Sequence, residues 1–255
     1  MKLVDNARLR SAVVAFAAQP GQQRAFDVLR NCMQGELLLD VTGSDMPAEG
    51  PVPFPAGTQM QIRGGTGPDG GRALFAYTRN EEIARHHPPG THTQSMAQSA
   101  VSVLEFVRSQ ADPWLYIDPA GPTCALAANE IDFALRNPRN DPMRAAIELV
   151  ASGQTDRQSV LQLLRRDGPM LLGADERTVP GQAATRRTQL PDGSFALVAF
   201  TSAPEVIGYV PSDAVASMTT RQVLEMTIEG GYSGLVINPA GPSVFLPAAE
   251  IAAPG

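Results

Sequence analysis

A chain of 255 residues that is 43% hydrophobic and 18% charged has the composition of a globular protein, with enough apolar surface for one or two cores. Its formal charge of −6 is spread without an acidic or basic block, which argues against nucleic acid or an anionic membrane as partner, and no stretch reaches the apolar length of a membrane span. Lys2 is the only lysine among 20 basic residues, so mechanisms built on an internal P-loop, Schiff-base or kinase-type lysine are excluded.

Ala12–Ala18 follows Arg8 and Arg10 in the manner of a signal peptide, but the run is short and Gln19-Pro20 is a poor cleavage site. Leu9, Val13 and Phe16 recur at helical spacing, so the expectation is an amphipathic helix in a mature, cytoplasmic chain. After a Gln-Pro-Gly break, Phe26, Leu29 and Met33 predict a second helical stretch, and Leu37–Val41 a short strand. Pro47 to Gly57 carries four prolines and reads as an extended loop. Thr58–Arg63 and Arg72–Thr78 then flank Pro68-Asp69-Gly70, a turn signal in which proline presets φ, aspartate caps and glycine tolerates positive φ. Ser95 with Gln98 has the spacing of a capping box, opening a helix whose stripe is Ala97, Val101, Leu104 and Val107.

Residues 114–131 (Trp-Leu-Tyr-Ile-Asp-Pro-Ala-Gly-Pro-Thr-Cys-Ala-Leu-Ala-Ala-Asn-Glu-Ile) return as residues 234–251 (Gly-Leu-Val-Ile-Asn-Pro-Ala-Gly-Pro-Ser-Val-Phe-Leu-Pro-Ala-Ala-Glu-Ile). Such a long period is that of a small domain, not of a solenoid. The intervening sequence repeats in step: Asp141-Pro142 starts a helix with Ile147 and Val150 on one face, and Thr155 with Gln158 caps another carrying Val160, Leu161 and Leu164. A strand follows at Met170–Leu172. Thr185–Leu190 and Ser194–Thr201 flank Pro191-Asp192-Gly193, and Thr219 with Gln222 opens a last helix. The expectation is two tandem copies, 1–138 and 139–255. Each is α+β, a largely antiparallel sheet covered by helices in the order α-β-β-β-α-β, with a possible last short strand at Cys124–Leu126 or Val244–Leu246. Two such copies can pack as an intrachain pseudo-dimer.

The closing block, Leu235-Val-Ile-Asn-Pro-Ala-Gly-Pro-Ser243 with Glu250-Ile251 beyond it, and the strand ending Phe200-Thr201-Ser202, resemble the SseB N-terminal domain family of bacteria. Copy one departs at Asp118, where Asn238 stands in copy two, and at Thr123, where Ser243 stands. The resemblance implies a small α+β module with a binding role and no assigned catalytic residues, in a family associated with secretion or amino-acid sensitivity. The block's own residues have a structural reading: Asp118 or Asn238 caps the turn begun by Pro119 or Pro239. Gly121 or Gly241 supplies a conformation other residues resist, and Pro122 or Pro242 stops the strand.

Candidate chemistry is sparse. Gly65-Thr-Gly67-Pro-Asp-Gly70 matches a dinucleotide fingerprint in letters, but a strand follows it where a phosphate-binding helix is needed. Gly231-Tyr-Ser-Gly234 lacks the order of a nucleophile elbow. His86, His87 and His92 cluster in Arg-His-His-Pro-Pro-Gly-Thr-His and are the low-ranking metal candidates; a solvated loop at a partner interface is the favoured reading. Glu81-Glu82 reads as solvated surface, Arg165-Arg166 and Arg186-Arg187 as helix-end and edge-strand charge with an anionic partner as the alternative, Trp114 as core with interface exposure as the second choice, and Cys32 and Cys124 as buried thiols whose pairing is left open. No catalytic residue and no cofactor is expected. The function expected is a non-catalytic protein-binding or regulatory module, possibly linked to secretion. The alternatives are a metal-assisted hydrolase using the histidine loop and an immunity- or chaperone-like partner of a secreted protein.

Overall fold

The computed structural model describes residues 4–44, 60–110, 114–175 and 184–253; the Pro47 to Gly57 stretch expected to be an extended loop lies outside them. The chain divides into two compact units, Met1–Asp132 and Phe133–Gly255. Unit one runs α1 (Ala7–Ala18), α2 (Gln22–Asn31), β1 (Glu36–Asp40), β2 (Gly64–Thr66), β3 (Arg72–Ala76), α3 (Asn80–Arg85), β4 (Ser95–Ser99), α4 (Ala100–Ser109), β5 (Trp114–Ile117) and β6 (Cys124–Ala127). Helix α5 (Ala128–Arg136) crosses the boundary. Unit two repeats the sequence as α6 (Asp141–Ala151), α7 (Gln158–Leu164), β7 (Pro169–Asp175), β8 (Ala184–Thr185), β9 (Arg187–Gln189), β10 (Phe195–Ala199), α8 (Ala203–Tyr209), β11 (Ala214–Thr219), α9 (Thr220–Glu229), β12 (Gly234–Ile237), β13 (Val244–Pro247) and α10 (Ala248–Ala252). Among the described residues, no helix is long and apolar enough to cross a membrane.

Strands are ordered β2-β3-β5-β6 in unit one and β9-β10-β12-β13 in unit two. A second ladder, β1-β4 or β11-β7-β8, joins each through one bridge. Leu38 and Tyr77 exchange two backbone hydrogen bonds of 2.9 Å, and Leu171 and Phe200 do the same at 2.9 and 2.8 Å. Most pairings are antiparallel, as α+β predicts, but β3 runs parallel to β5 and β10 to β12. Parallel neighbours require a long crossover, here helix, strand and helix in turn.

That crossover contains the strand that sequence periodicity missed. Ser95–Ser99 pairs in full register with β1 and is no helix start; the cap of α4 is Ser99, which accepts from the Ser102 amide at 3.0 Å. Five residues of backbone pairing to an apolar strand outweigh a capping signal worth about 1 kcal/mol. The Thr219–Gln222 box exists as predicted, with both reciprocal bonds. Elsewhere the caps shift by one residue: Asn140 caps α6, and Asp156, not Thr155, accepts from the Gln158 amide.

The core of unit two gathers Met143 and Ile147 from α6, Val160, Leu161 and Leu164 from α7, Val223 from α9, and Leu172, Leu197, Leu235, Ile237 and Leu246 from the sheet. Their counterparts in unit one, among them Leu9, Val13, Leu29, Leu74, Leu115, Ile117 and Leu126, are equally buried. Alternation along β12 leaves Val236 half-buried on the opposite face. Replacing Leu197 by Ala is expected to lower unfolding free energy by about 2–5 kcal/mol, and Val236→Ala by less than half of that. Urea denaturation of the two variants checks the face assignment, and equal losses would refute it.

Candidate functional site

The residues of the repeated block act across strands. Asp118 and Asn238 are the only non-glycine residues of positive φ among the described residues, at 53° and 55°; Gly121 and Gly241 are not the left-handed positions. Short polar side chains tolerate that conformation when they bond locally. Here the bonds go to the end of the neighbouring parallel strand. Asp118 accepts from the Thr78 amide and hydroxyl, both at 2.8 Å, and donates its own amide to the Ala76 carbonyl at 3.0 Å. Asn238 accepts from the Thr201 amide at 3.0 Å, donates Nδ2–H to the Thr201 hydroxyl at 2.8 Å, and bonds the Ala199 carbonyl through its amide at 3.0 Å. The Pro-Ala-Gly turns are closed by their backbones, Gly121 to Asp118 at 3.2 Å and Gly241 to Asn238 at 3.1 Å. Burial raises the Asp118 carboxyl above its usual pKa, against the pull of the Thr78 bonds.

Aromatic rings line the sheet face turned away from Leu74 and Leu115. Phe75 meets Tyr116 edge-on with centroids 5.8 Å apart, and Phe75 lies 5.3 Å from the His86 ring. Trp114 is half-exposed, not core, and its indole donates to Asp69 at 2.7 Å. The glycine-rich hairpin explains itself here: a Cβ on Gly65 would fall 2.4 Å from the Phe75 ring, and one on Gly67 would fall 2.1 Å from Trp114. These glycines seat rings, and the stretch turns from β2 into β3 as a hairpin. Gly231, at φ 67°, follows the end of α9, a helix stop.

The three histidines do not converge. His86 Nδ1 lies 3.1 Å from the hydroxyl of Tyr77, and His87 Nε2 lies 2.7 Å from Asp40 Oδ2, while His92 is exposed. Burial, then the charges of Arg63 and His87, lower the His86 pKa, so its ring is uncharged at neutral pH. Burial pushes Asp40 upward, but hydrogen bonds from Thr42 and then His87 outweigh it and leave the carboxyl below its usual value. Arg63 Nε completes this group at 3.1 Å from Asp40. Among the described residues, no cluster of three or more His, Cys, Asp or Glu is placed to hold a metal.

A cleft of about 450 Å³, with charged side chains set among apolar ones such as Val14 and Pro122, opens between α1, α3 and the Asp118 turn. Glu81 is exposed as expected, but Glu82 is 3% exposed and takes Arg79 on one oxygen at 2.8–2.9 Å and Arg85 on the other at 2.7 Å. Arg10, paired with Asp5, lines the opposite wall. Of the arginine pairs singled out from sequence, Arg186 is held by Asp213 and Asp175, Arg187 stacks on Phe195 at 4.2 Å, and Arg165 donates to the Ala253 carbonyl at 3.1 Å. Cys32 and Cys124 are free and buried; burial pushes Cys124 up to about 12 and Cys32 up as well.

A family model described as the SseB protein N-terminal domain matches residues 9–132 and again 143–253. The chain belongs to the SseB N-terminal domain family, twice over. No curated protein and no solved structure matches it. The SseB repeat makes each half a control for the other. Thr78 and Thr201, Asp118 and Asn238, and the buried Glu82 and Glu205 occupy the same places in both. The aromatic face and the arginine wall belong to the first. Sequence reasoning missed the arginine wall because Arg10, Arg79 and Arg85 are scattered, and missed buried Glu82 because it sits beside exposed Glu81. The matching of Glu82 with Glu205 was the signal available.

The latch gives a prediction with a definite sign. The folded pKa of Asp118 lies above its unfolded value, so its ionised form is disfavoured by folding. The penalty is absent below about pH 4 and grows as pH rises through the folded pKa. Asp118→Asn, the residue of the other SseB repeat, is therefore expected to raise stability at neutral pH, with the gain vanishing in acid; Asn238→Asp should do the reverse. Asp118→Ala, which orphans two buried donors of Thr78, should cost about 1–3 kcal/mol. Urea melts from pH 3 to 8 check this, and a destabilised Asp118→Asn at pH 7 would refute it.

Proposed function

We propose that this chain is a non-catalytic binding module whose partner is another protein, and that unit one supplies the recognition surface. The observation that carries the reading is the half-exposed row of Phe75, Tyr116 and Trp114 on one sheet face. Unit two has Val198, Val236 and Gly234 at those places, so the rings are not demanded by the fold. Large aromatic side chains are over-represented among residues that dominate protein interfaces. These rings are also held before any partner arrives, by Gly65, Gly67 and Asp69, which lowers the ordering cost of association.

The repeated motif supports the non-catalytic part. Asp118 and Asn238 direct their side chains to a strand end, inside the fold, and the imidazoles of His86 and His87 are directed to Tyr77 and Asp40. An association with secretion, implied by the family resemblance, belongs to the same proposal. So does the narrower form in which the partner is a single secreted protein protected or chaperoned by this chain.

Affinity capture from cells that make the protein, with wild type and a Trp114→Ala/Tyr116→Ala double variant, tests the reading. A stoichiometric protein is expected with wild type, and its affinity should fall at least about tenfold in the variant, since interface anchors are worth about 2 kcal/mol or more. Capture of the same protein at undiminished affinity by a folded double variant would remove the aromatic face from the function.

A further inference from the structure

We propose that the cleft between α1, α3 and the Asp118 turn of unit one binds a carboxylate group, a role separate from the aromatic face and independent of it. Its volume of about 450 Å³ lies in the range of small-ligand sites. Arg10, Arg79 and Arg85 line it with Glu82, Asp118 and Val14. A guanidinium carries five N–H donors in a planar fork. Arg85 commits one nitrogen to Glu82, Arg10 commits one to Asp5, and Arg79 uses Nε and Nη2 on Glu82. The remaining guanidinium nitrogens have no protein partner among the described residues.

Unit two shows that the fold does not require this arrangement. Ser202 and Gly208 stand where Arg79 and Arg85 stand, yet Glu205 is buried at 1% exposure and Asn238 makes the same latch. There Arg144, the counterpart of Arg10, is itself largely buried and within electrostatic reach of Glu205. In unit one the buried glutamate takes two arginines, Arg79 and Arg85, and Arg10 stands on the facing wall. Fork-shaped donors around a cleft suit a planar oxyanion. Three guanidinium groups stand among four carboxyl groups, Asp5, Glu81, Glu82 and Asp118, so the site has no surplus positive charge, which weighs most against a doubly charged phosphate and leaves recognition to the directed N–H forks. A single negative charge on a planar group is the best match. It can come from a free small acid or from an acidic side chain on a peptide.

The test follows the arginine Nε–Hε resonances of the full-length chain by ¹H–¹⁵N spectroscopy. Acetate is titrated against acetamide, and the blocked tripeptide Ala-Asp-Ala against Ala-Asn-Ala, with inorganic phosphate as a further arm. Saturable shifts of Arg10, Arg79 and Arg85 with acetate or the Asp peptide, and none with the neutral analogues, are expected. At least tenfold weaker binding is expected in Arg79→Ser/Arg85→Ala, and no change in Arg165→Ala/Arg166→Ala. A peptide that binds at least tenfold tighter than acetate identifies a protein segment as the source; comparable or weaker binding identifies a small acid. The proposal is overturned by no saturable shift with either carboxylate probe at tens of millimolar, by phosphate binding more tightly than acetate, or by unchanged binding in the folded double-arginine variant. The wild-type titration decides the matter alone should that variant not fold.

Discussion

Each half of the molecule depends on one threonine at the end of its central strand. Thr78 gives its amide and hydroxyl to Asp118, and its carbonyl accepts from the amide of Asn6 at 3.0 Å; Thr201 gives its amide to Asn238, its hydroxyl accepts from Asn238 Nδ2–H, and its carbonyl accepts from the amide of Asn140 at 2.9 Å. Asn6 and Asn140 are in turn the N-caps of α1 and α6. A single buried residue therefore ties the opening helix, the central strand and the closing turn. Parallel strands joined by a crossover of several elements have no tight turn to fix their ends, and this latch supplies what a hairpin obtains from its loop. Burial makes the arrangement stringent, because an abandoned donor in such a place costs about 1–3 kcal/mol.

Around that fixed point the two halves have exchanged positions for the same physical job. Arg63 meets Asp40, which sits on β1; its counterpart Arg186 meets Asp213, which comes from the loop after α8. Strand β7 has Gly173 there, and a Cβ at that site would lie 2.6 Å from the Asp213 carboxylate. The bonded acid comes from the loop, and Asp175 at the end of β7 adds a second ion pair to Arg186 at 3.2 Å. Rings behave the same way: Trp114 projects from β5 over Gly67, whereas in unit two Phe245 projects from β13 over Gly234. What differs without such an exchange is Arg79 and Arg85, which give way to Ser202 and Gly208, and the rings of Phe75 and Tyr116, which give way to Val198 and Val236.

Much of this was legible in the sequence. Duplication, class and the proline-aspartate-glycine hairpins follow from residues whose local physics dominates: turn formers, caps and alternation over long runs. Contacts between distant parts of the chain were not. Strand β4 is written Ser-Met-Ala-Gln-Ser, with no apolar alternation, and is a strand because β1 offers it a complete ladder. The role of Asp118 was read as capping its own turn, since sequence shows neighbours in the chain but not the Thr78 amide on another strand. The histidines are close in sequence, but a helix end sends consecutive side chains to Tyr77 and to Asp40, partners that no local pattern reveals.

The ring-and-glycine pairs have a consequence for how such a duplicated gene can change. Homologous halves invite unequal crossing-over, yet Trp114 and Gly67 are matched across a long stretch of chain, as Phe245 and Gly234 are across a short one. A breakpoint falling between Gly67 and Trp114 would set an indole against Leu190, the residue that stands in unit two where Gly67 stands in unit one. Recombinants are therefore filtered by steric fit, which favours exchanges that carry the hairpin and its covering ring together and so helps the two halves keep separate identities.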